Sequence, residues 1–257
     1  TEIGNFAFYR CSALTNITIP SVIKIGESAL AFCSRSIKIN ITPINDKKER
    51  VKLIDNKILV YKANPESSDF DTLLWVRYNI YENNYVTIPQ SIKTIGNYVF
   101  YGFSSEITIP SSVIKIGPNA FDSCSFTYIA IPSSVTEIGK GAFYNCNKLT
   151  EIEIPSSVIK IGPNAFEKCS SLKKIVIPSS VTEIGDSAFL ECSSLNDIYL
   201  HSALTIKMEI GIFNTCSKLR RIGITPVYDK KERIKLINNQ ILVYKADPES
   251  SNFDTLL

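Results

Sequence analysis

The chain has 257 residues, 28 Lys and Arg against 25 Asp and Glu, a net charge of +3, and 44% hydrophobic and 21% charged residues. That is enough apolar material for a buried core, and it excludes a disordered tail, a collagen and a strongly basic nucleic-acid binder. No run approaches the roughly 18 apolar residues of a membrane helix, and one histidine, His201, leaves little for histidine-based catalysis or a histidine-rich metal site.

The chain opens at Thr1-Glu2-Ile3-Gly4 and stops at Leu257 inside what reads as an unfinished element, so a piece of a longer protein is expected. Its first Ile-Gly pair begins a repeat, with the glycine recurring at 4, 26, 96, 117, 139, 162, 185 and 211. Most of these glycines are followed at fixed distance by a small residue, a Phe and a Cys, as in Gly185, Ala188, Phe189 and Cys192, and in the last unit Phe213 and Cys216 come two residues early. Further on, an apolar pair brackets one variable residue, as in Ile17/Ile19, Ile152/Ile154 and Ile198/Leu200. The pair alternates with period two and predicts a short strand with both apolar residues inward. One unit of this length cannot bury its own apolar face, but stacked units share a continuous core. Strands about 4.8 Å apart predict a parallel sheet on the order of 40 Å long. Gly at the corner is expected to allow a positive-φ or tight turn, and Pro118 and Pro163 after it suit the start of a short helical or 3-10 turn.

The chain divides into repeat coils over 1–45, a β-rich island over 46–86, coils over 87–226 and a truncated second island over 227–257. In the first island Ile58–Tyr61 and Leu73–Val76 read as a β-hairpin-like pair. Residues 229–257 copy 46–74 with five differences, at an offset of 183 residues, so the parent is expected to carry a super-repeat. The second copy ends before the equivalent of Trp75, which predicts an unpaired edge at Ile241 and Val243 and self-association there. Trp75, Tyr78, Tyr81 and Tyr85 are expected to pack the island onto the coils.

All seven cysteines fall in the same slot of their units. An odd count in constant phase argues for a buried thiol ladder and against a disulfide framework. No Cys-x-x-Cys is present, so no metal site is expected. No nucleophile–base pair or nucleotide loop is present either, and the chain is read as non-catalytic, without cofactor. Glu151 and Glu153 share a strand face as a carboxylate pair would, but on an open sheet.

The unit Ile-x-Ile-Pro-x-x-Val-x-x-Ile-Gly-x-x-Ala-Phe-x-x-Cys-x-x-Leu resembles the BspA-like, or Treponema pallidum-type, leucine-rich repeat over about 1–45 and 87–226. Leu30 in place of Phe, Phe103 in place of Cys, and an insertion near His201 and Met208 depart from it. The resemblance implies a leucine-rich repeat solenoid of the α/β horseshoe class, mostly β. It also implies a surface protein that adheres to host cells and to matrix proteins such as fibronectin and fibrinogen, and no catalytic residues.

The outward strand residues are the ligand-binding candidates: Tyr128, Glu151, Glu153, Lys174, Asp197, Tyr199 and Arg221, which include types enriched at binding hot spots. Asn16-Ile17-Thr18 and Asn40-Ile41-Thr42 are sequons, so Asn16 and Asn40 are glycosylation candidates on the same face if the protein is secreted by a eukaryote. The expected role is a cell-surface or secreted adhesion module, with host-cell or matrix proteins as partners and neither nucleic acid nor membrane insertion. The alternatives are a structural spacer or self-assembling surface layer and, third, an intracellular scaffold.

Overall fold

The computed structural model describes residues 2–21, 23–26, 28–34, 36–43, 50–55, 58–62, 70–77, 86–201, 207–208, 212–225, 234–237, 241–244 and 255–256. They form a β-solenoid of coils numbered here 1 to 8 by their corner glycines, with the island after coil 2. Each coil carries two strand positions. The Ile-x-Ile strands pair in parallel as expected, but in four separate groups. These are Asn16–Pro20 with Lys38–Thr42, Val86–Thr87 with Ile107–Thr108, Tyr128–Ala130 with Glu151–Glu153, and Lys174–Ile177 with Asp197–His201 and Arg221–Thr225. The longest sheet is a different one. It has nine strands, three from the island and six two-residue strands near the corners of coils 3 to 8, such as Lys115–Ile116, Glu137–Ile138 and Lys160–Ile161, while the strands before Gly4 and Gly26 pair in a sheet of their own.

This sheet explains the corner glycine. Its N–H donates to the Ile carbonyl of the coil before, as in Gly117 to Ile95 O and Gly162 to Ile138 O, both at 2.8 Å. The backbones approach so closely that a Cβ on Gly162 would lie 2.6 Å from Lys140 N and 2.7 Å from Gly139 C. Of the two expected reasons, positive φ does not apply: among the described glycines only Gly102 and Gly141 have it, and neither is a corner glycine.

Positive φ appears instead at the second and sixth residues past the corner, as at Asn119 and Ser123, Asn164 and Lys168, and Ser187 and Glu191. These left-handed residues interrupt any helical run. Among the described residues the connections are therefore successive turns rather than the helical turns expected. The turns are stitched together by N–H groups donating to the next coil, for example Phe121 to Ala142 O and Phe143 to Ala165 O, both at 2.8 Å.

Inside, like residues stack on like. The rings of Phe121, Phe143, Phe166 and Phe189 are parallel at 5.3–5.4 Å. The thiols form the expected ladder without disulfides. Each buried Sγ–H donates to the Phe carbonyl of the preceding coil, as in Cys146 to Phe121 O at 3.0 Å and Cys169 to Phe143 O at 3.2 Å. Phe103 replaces Cys in the one coil that follows the island, where no such Phe carbonyl precedes it. It is buried and packs edge-on to Phe100.

Burial pushes Cys124, Cys169 and Cys192 well above the ordinary thiol range and Cys216 up to about 11. Two outcomes are expected. An aromatic disulfide reagent should modify one thiol rapidly in the native protein, the half-buried Cys11, and all seven only after unfolding. Stability should also fall as pH rises above about 8.5, because these four thiols ionise there when unfolded but stay protonated in the fold. Thermal midpoints from pH 7 to 10 read this directly.

Asp122, in the coil 4 turn, is buried at 8% exposure and accepts Ser123 Oγ–H at 2.7 Å. Desolvation raises its pKa to about 6, with the Ser123 bond opposing. A raised carboxyl is stabilising below its unfolded value and loses that contribution as pH climbs through 6. Asp122→Asn should therefore gain about 1–3 kcal/mol at pH 7 and nothing below pH 4, read by urea unfolding.

The island is more than a hairpin. Val51–Ile54, Ile58–Tyr61 and Thr72–Val76 form an antiparallel meander whose last strand joins the long sheet, with Leu73 opposite Ile95. All of Ile58–Tyr61 is buried because both faces are covered. Leu59, Tyr61 and Trp75 pack with coils 1 and 2, while Ile58, Val60, Leu73 and Val76 pack with coils 3 to 8. Trp75 thus packs as expected; Tyr78, Tyr81 and Tyr85 lie outside the described residues. In the second copy Val243 pairs with Leu256, so the edge expected to be open is partly closed. The copy is long enough to supply the first two residues of the return strand. Across the insertion, Lys207–Met208 still pairs with Glu183–Ile184 and His201 with Thr225.

Candidate protein-binding face

The outward residues of the Ile-x-Ile strands lie in two rows set by the parallel register. Tyr128 is opposite Glu151 and Ala130 opposite Glu153. Lys174 is opposite Asp197, which is opposite Arg221, and Val176 is opposite Tyr199, which is opposite Gly223. Tyr128, Glu151, Glu153 and Lys174 are exposed, and Asp197 and Tyr199 are half-buried. For Arg221 only the backbone position is described.

The strongest cluster sits on coils 6 to 8. Lys174 Nζ lies 4.9 Å from the centre of the Tyr199 ring. The same ring covers Gly223, where a Cβ would meet Tyr199 Cδ1 at 2.7 Å and Cε1 at 3.0 Å. The ring is thus laid flat along the sheet, with a cation over it and a bare backbone beneath, a geometry that fixes an aromatic before binding. Gly223 was not singled out from sequence; a glycine in an outward slot one coil after a tyrosine was the available signal.

Tyr128, 55% exposed, borders a depression of about 470 Å3 that Glu106, Thr108 and Phe126 also line. It opens where the Ile-x-Ile ladder is interrupted between coils 3 and 4. Glu151 and Glu153 stand on the next strand, and none of the described residues forms a cluster suited to a metal ion. Asn16 and Asn40 are exposed on coils 1 and 2, remote in sequence from the Lys174–Tyr199 cluster.

On the opposite ladder the charges alternate in register. Lys115 pairs with Glu137 at 2.9 Å and Lys160 with Glu183 at 3.0 Å. Such exposed pairs contribute little stability each, but they disfavour a coil slipping by one. The described residues include no helix long and apolar enough to cross a membrane.

Two-strand coils with stacked apolar columns and a variable outward row define a leucine-rich repeat solenoid. The chain belongs to the BspA type leucine-rich repeat family, whose model matches six copies over residues 1–60, 77–196 and 136–233. It is similar to a solved leucine-rich cell surface protein of Faecalibacterium prausnitzii, at 30% identity and a TM-score of 0.58, covering 89% of this chain and 52% of that one. The chain therefore spans about half the length of that relative. A leucine-rich repeat protein of Eubacterium ventriosum shares the fold at 22% identity and a TM-score of 0.61, with 89% and 63% covered. The pneumococcal vaccine antigen PcpA does so at 17% and 0.52, with 88% and 71% covered. No curated protein matches the sequence.

Proposed function

We propose that the chain is a non-catalytic, cell-surface adhesion module that binds host-cell or matrix proteins through the outward face of its Ile-x-Ile strands. The observation that carries this reading is the Tyr199 ring held between Lys174 and Gly223. A rigid aromatic with a neighbouring cation loses little freedom on binding and makes a good anchor. Tyr128, Glu151, Glu153, Asp197 and Arg221 extend the contact along the coils. The surface location is supported by the Faecalibacterium relative, which is described as a cell surface protein. Fibronectin-like and fibrinogen-like ligands follow from the family resemblance. Glycans on Asn16 and Asn40 would direct binding to the later coils, and an intact-mass increment on native material would reveal them.

The test is label-free binding of this chain to fibronectin, fibrinogen and host-cell glycoproteins, beside a variant with Lys174, Tyr199 and Arg221 changed to Ala. Saturable binding that weakens at least tenfold in the variant, at unchanged thermal midpoint, is the expected result; tenfold corresponds to about 1.4 kcal/mol. Absence of binding, with molecular mass rising with concentration, would favour a spacer or self-assembling layer joined through the terminal island.

A further inference from the structure

Between successive coils, among the described residues, the stitching of the turns is interrupted at one place, after coil 2. In coil 1 the N–H groups of Phe8 and Arg10 donate to Ala29 O and Ala31 O of coil 2, at 2.9 and 3.0 Å. From coil 3 the pattern resumes, with Phe100 donating to Ala120 O and Gly102 to Asp122 O. Among the described residues, the corresponding donors of coil 2, the N–H groups of Leu30 and Phe32, meet no acceptor. The island follows coil 2, and it brings the strand Thr72–Val76 to this edge rather than a turn. By the geometry of the other coils, the two N–H groups point toward the missing rung.

A cavity of about 270 Å3 lies there, bordered by coil 2, Trp75 and the coil 3 corner. Two residues that border it carry buried side-chain donors with no partner among the described residues: Trp75, 1% exposed, with Nε1–H, and Ser28, 8% exposed, with Oγ–H. Lys115 also lines it, paired with Glu137 at 2.9 Å, and no Asp or Glu is among its described lining residues. Unpaired buried donors are costly, so such a site favours an occupant rich in acceptors. Outside, the Phe32 ring reaches Tyr98 and Tyr101 at 5.0 and 4.1 Å and roofs the gap with side chains that can rotate.

We propose that this notch is a binding pocket for a carboxylate carried by a peptide. Once the Phe32, Tyr98 and Tyr101 side chains swing aside, the carboxylate accepts from Trp75 Nε1–H and Ser28 Oγ–H, and the peptide carbonyls before it accept from Leu30 and Phe32. N–H groups on alternate residues are what an added strand meets at a sheet edge, and convergent donors are what capture a terminal carboxylate. The site is separate from the Lys174–Tyr199 cluster and does not depend on it. The carboxylate can come from a chain terminus or from an Asp side chain.

Trp75 is the sole tryptophan, so its emission reports on the pocket alone. The protein is titrated with acetyl-Ala-Ala-Ala free acid, acetyl-Ala-Ala-Asp amide and acetyl-Ala-Ala-Ala amide. A saturable emission change with either carboxylate peptide is expected, at least tenfold stronger than with the neutral amide; which of the two binds identifies the source. Calorimetry on Trp75→Phe and Ser28→Ala should show at least tenfold weaker binding. Both changes keep the side chain close in size, and either alone suffices if the other does not fold. Equal binding of all three peptides, no response up to about 10 mM, or unchanged affinity in the folded variants would overturn the proposal and leave water as the occupant.

Discussion

Gly162→Ala is expected to lower stability by about 3 kcal/mol, and Gly162→Val by more. The added Cβ would be 2.6 Å from Lys140 N, 2.7 Å from Gly139 C and 3.0 Å from Lys140 Cα, all backbone atoms of the preceding coil. Backbone cannot rotate aside as a side chain can, so the coils must separate. Separation also stretches the Gly162 N–H bond to Ile138 O, now 2.8 Å. Gly4→Ala is the control. It occupies the same slot, but a Cβ there meets nothing within 4 Å, so its change should stay within about 0.5 kcal/mol. Urea unfolding of the two variants compares them; equal losses would show that conformational freedom rather than coil spacing keeps glycine in this column.

Phe143→Ala should cost about 3–5 kcal/mol. The ring is fully buried and stacks at 5.3 Å on both Phe121 and Phe166, at interplanar angles of 8° and 3°. Its removal leaves a cavity that the flanking rings cannot fill, because each is held by its own stack and its own backbone rung. Phe143→Leu should be much milder, about 1–2 kcal/mol, since Leu30 occupies this slot in coil 2 and is buried there. Loss of near-ultraviolet circular dichroism together with the unfolding midpoint would read both. A Leu variant as damaged as the Ala variant would mean that ring stacking, not volume, holds the column.

The residues that repeat in phase were readable because each has a single physical job. The inward Phe and Cys columns and the Ile-x-Ile strands follow directly from their spacing. The longer sheet was not readable, since a strand such as Lys160–Ile161 has one inward residue and cannot show a period of two. The first meander strand, Val51–Ile54, is not legible because only four residues, one of them Lys52, separate the charged run at 46–50 from the polar Asp55-Asn56-Lys57 stretch. The candidate face was legible as a set of outward slots, but its order was not. The contact of Tyr199 with Lys174 and Gly223 depends on register between strands more than twenty residues apart. The donors at Trp75 and Ser28 were hidden for the opposite reason: their setting is created by a rung that is absent.

The meander between coils 2 and 3 acts as a bulkhead. Its two buried faces belong to two different hydrophobic cores. In a plain solenoid each coil leans on its neighbour, and melting spreads along the stack. Here a breach in coils 1 and 2 reaches a wall that draws its strength from the other side. With a near-copy of the island sequence returning 183 residues later, a longer run of such repeats would be divided into watertight compartments. Shear or a protease cut in one compartment would then leave the outward faces of the others in place.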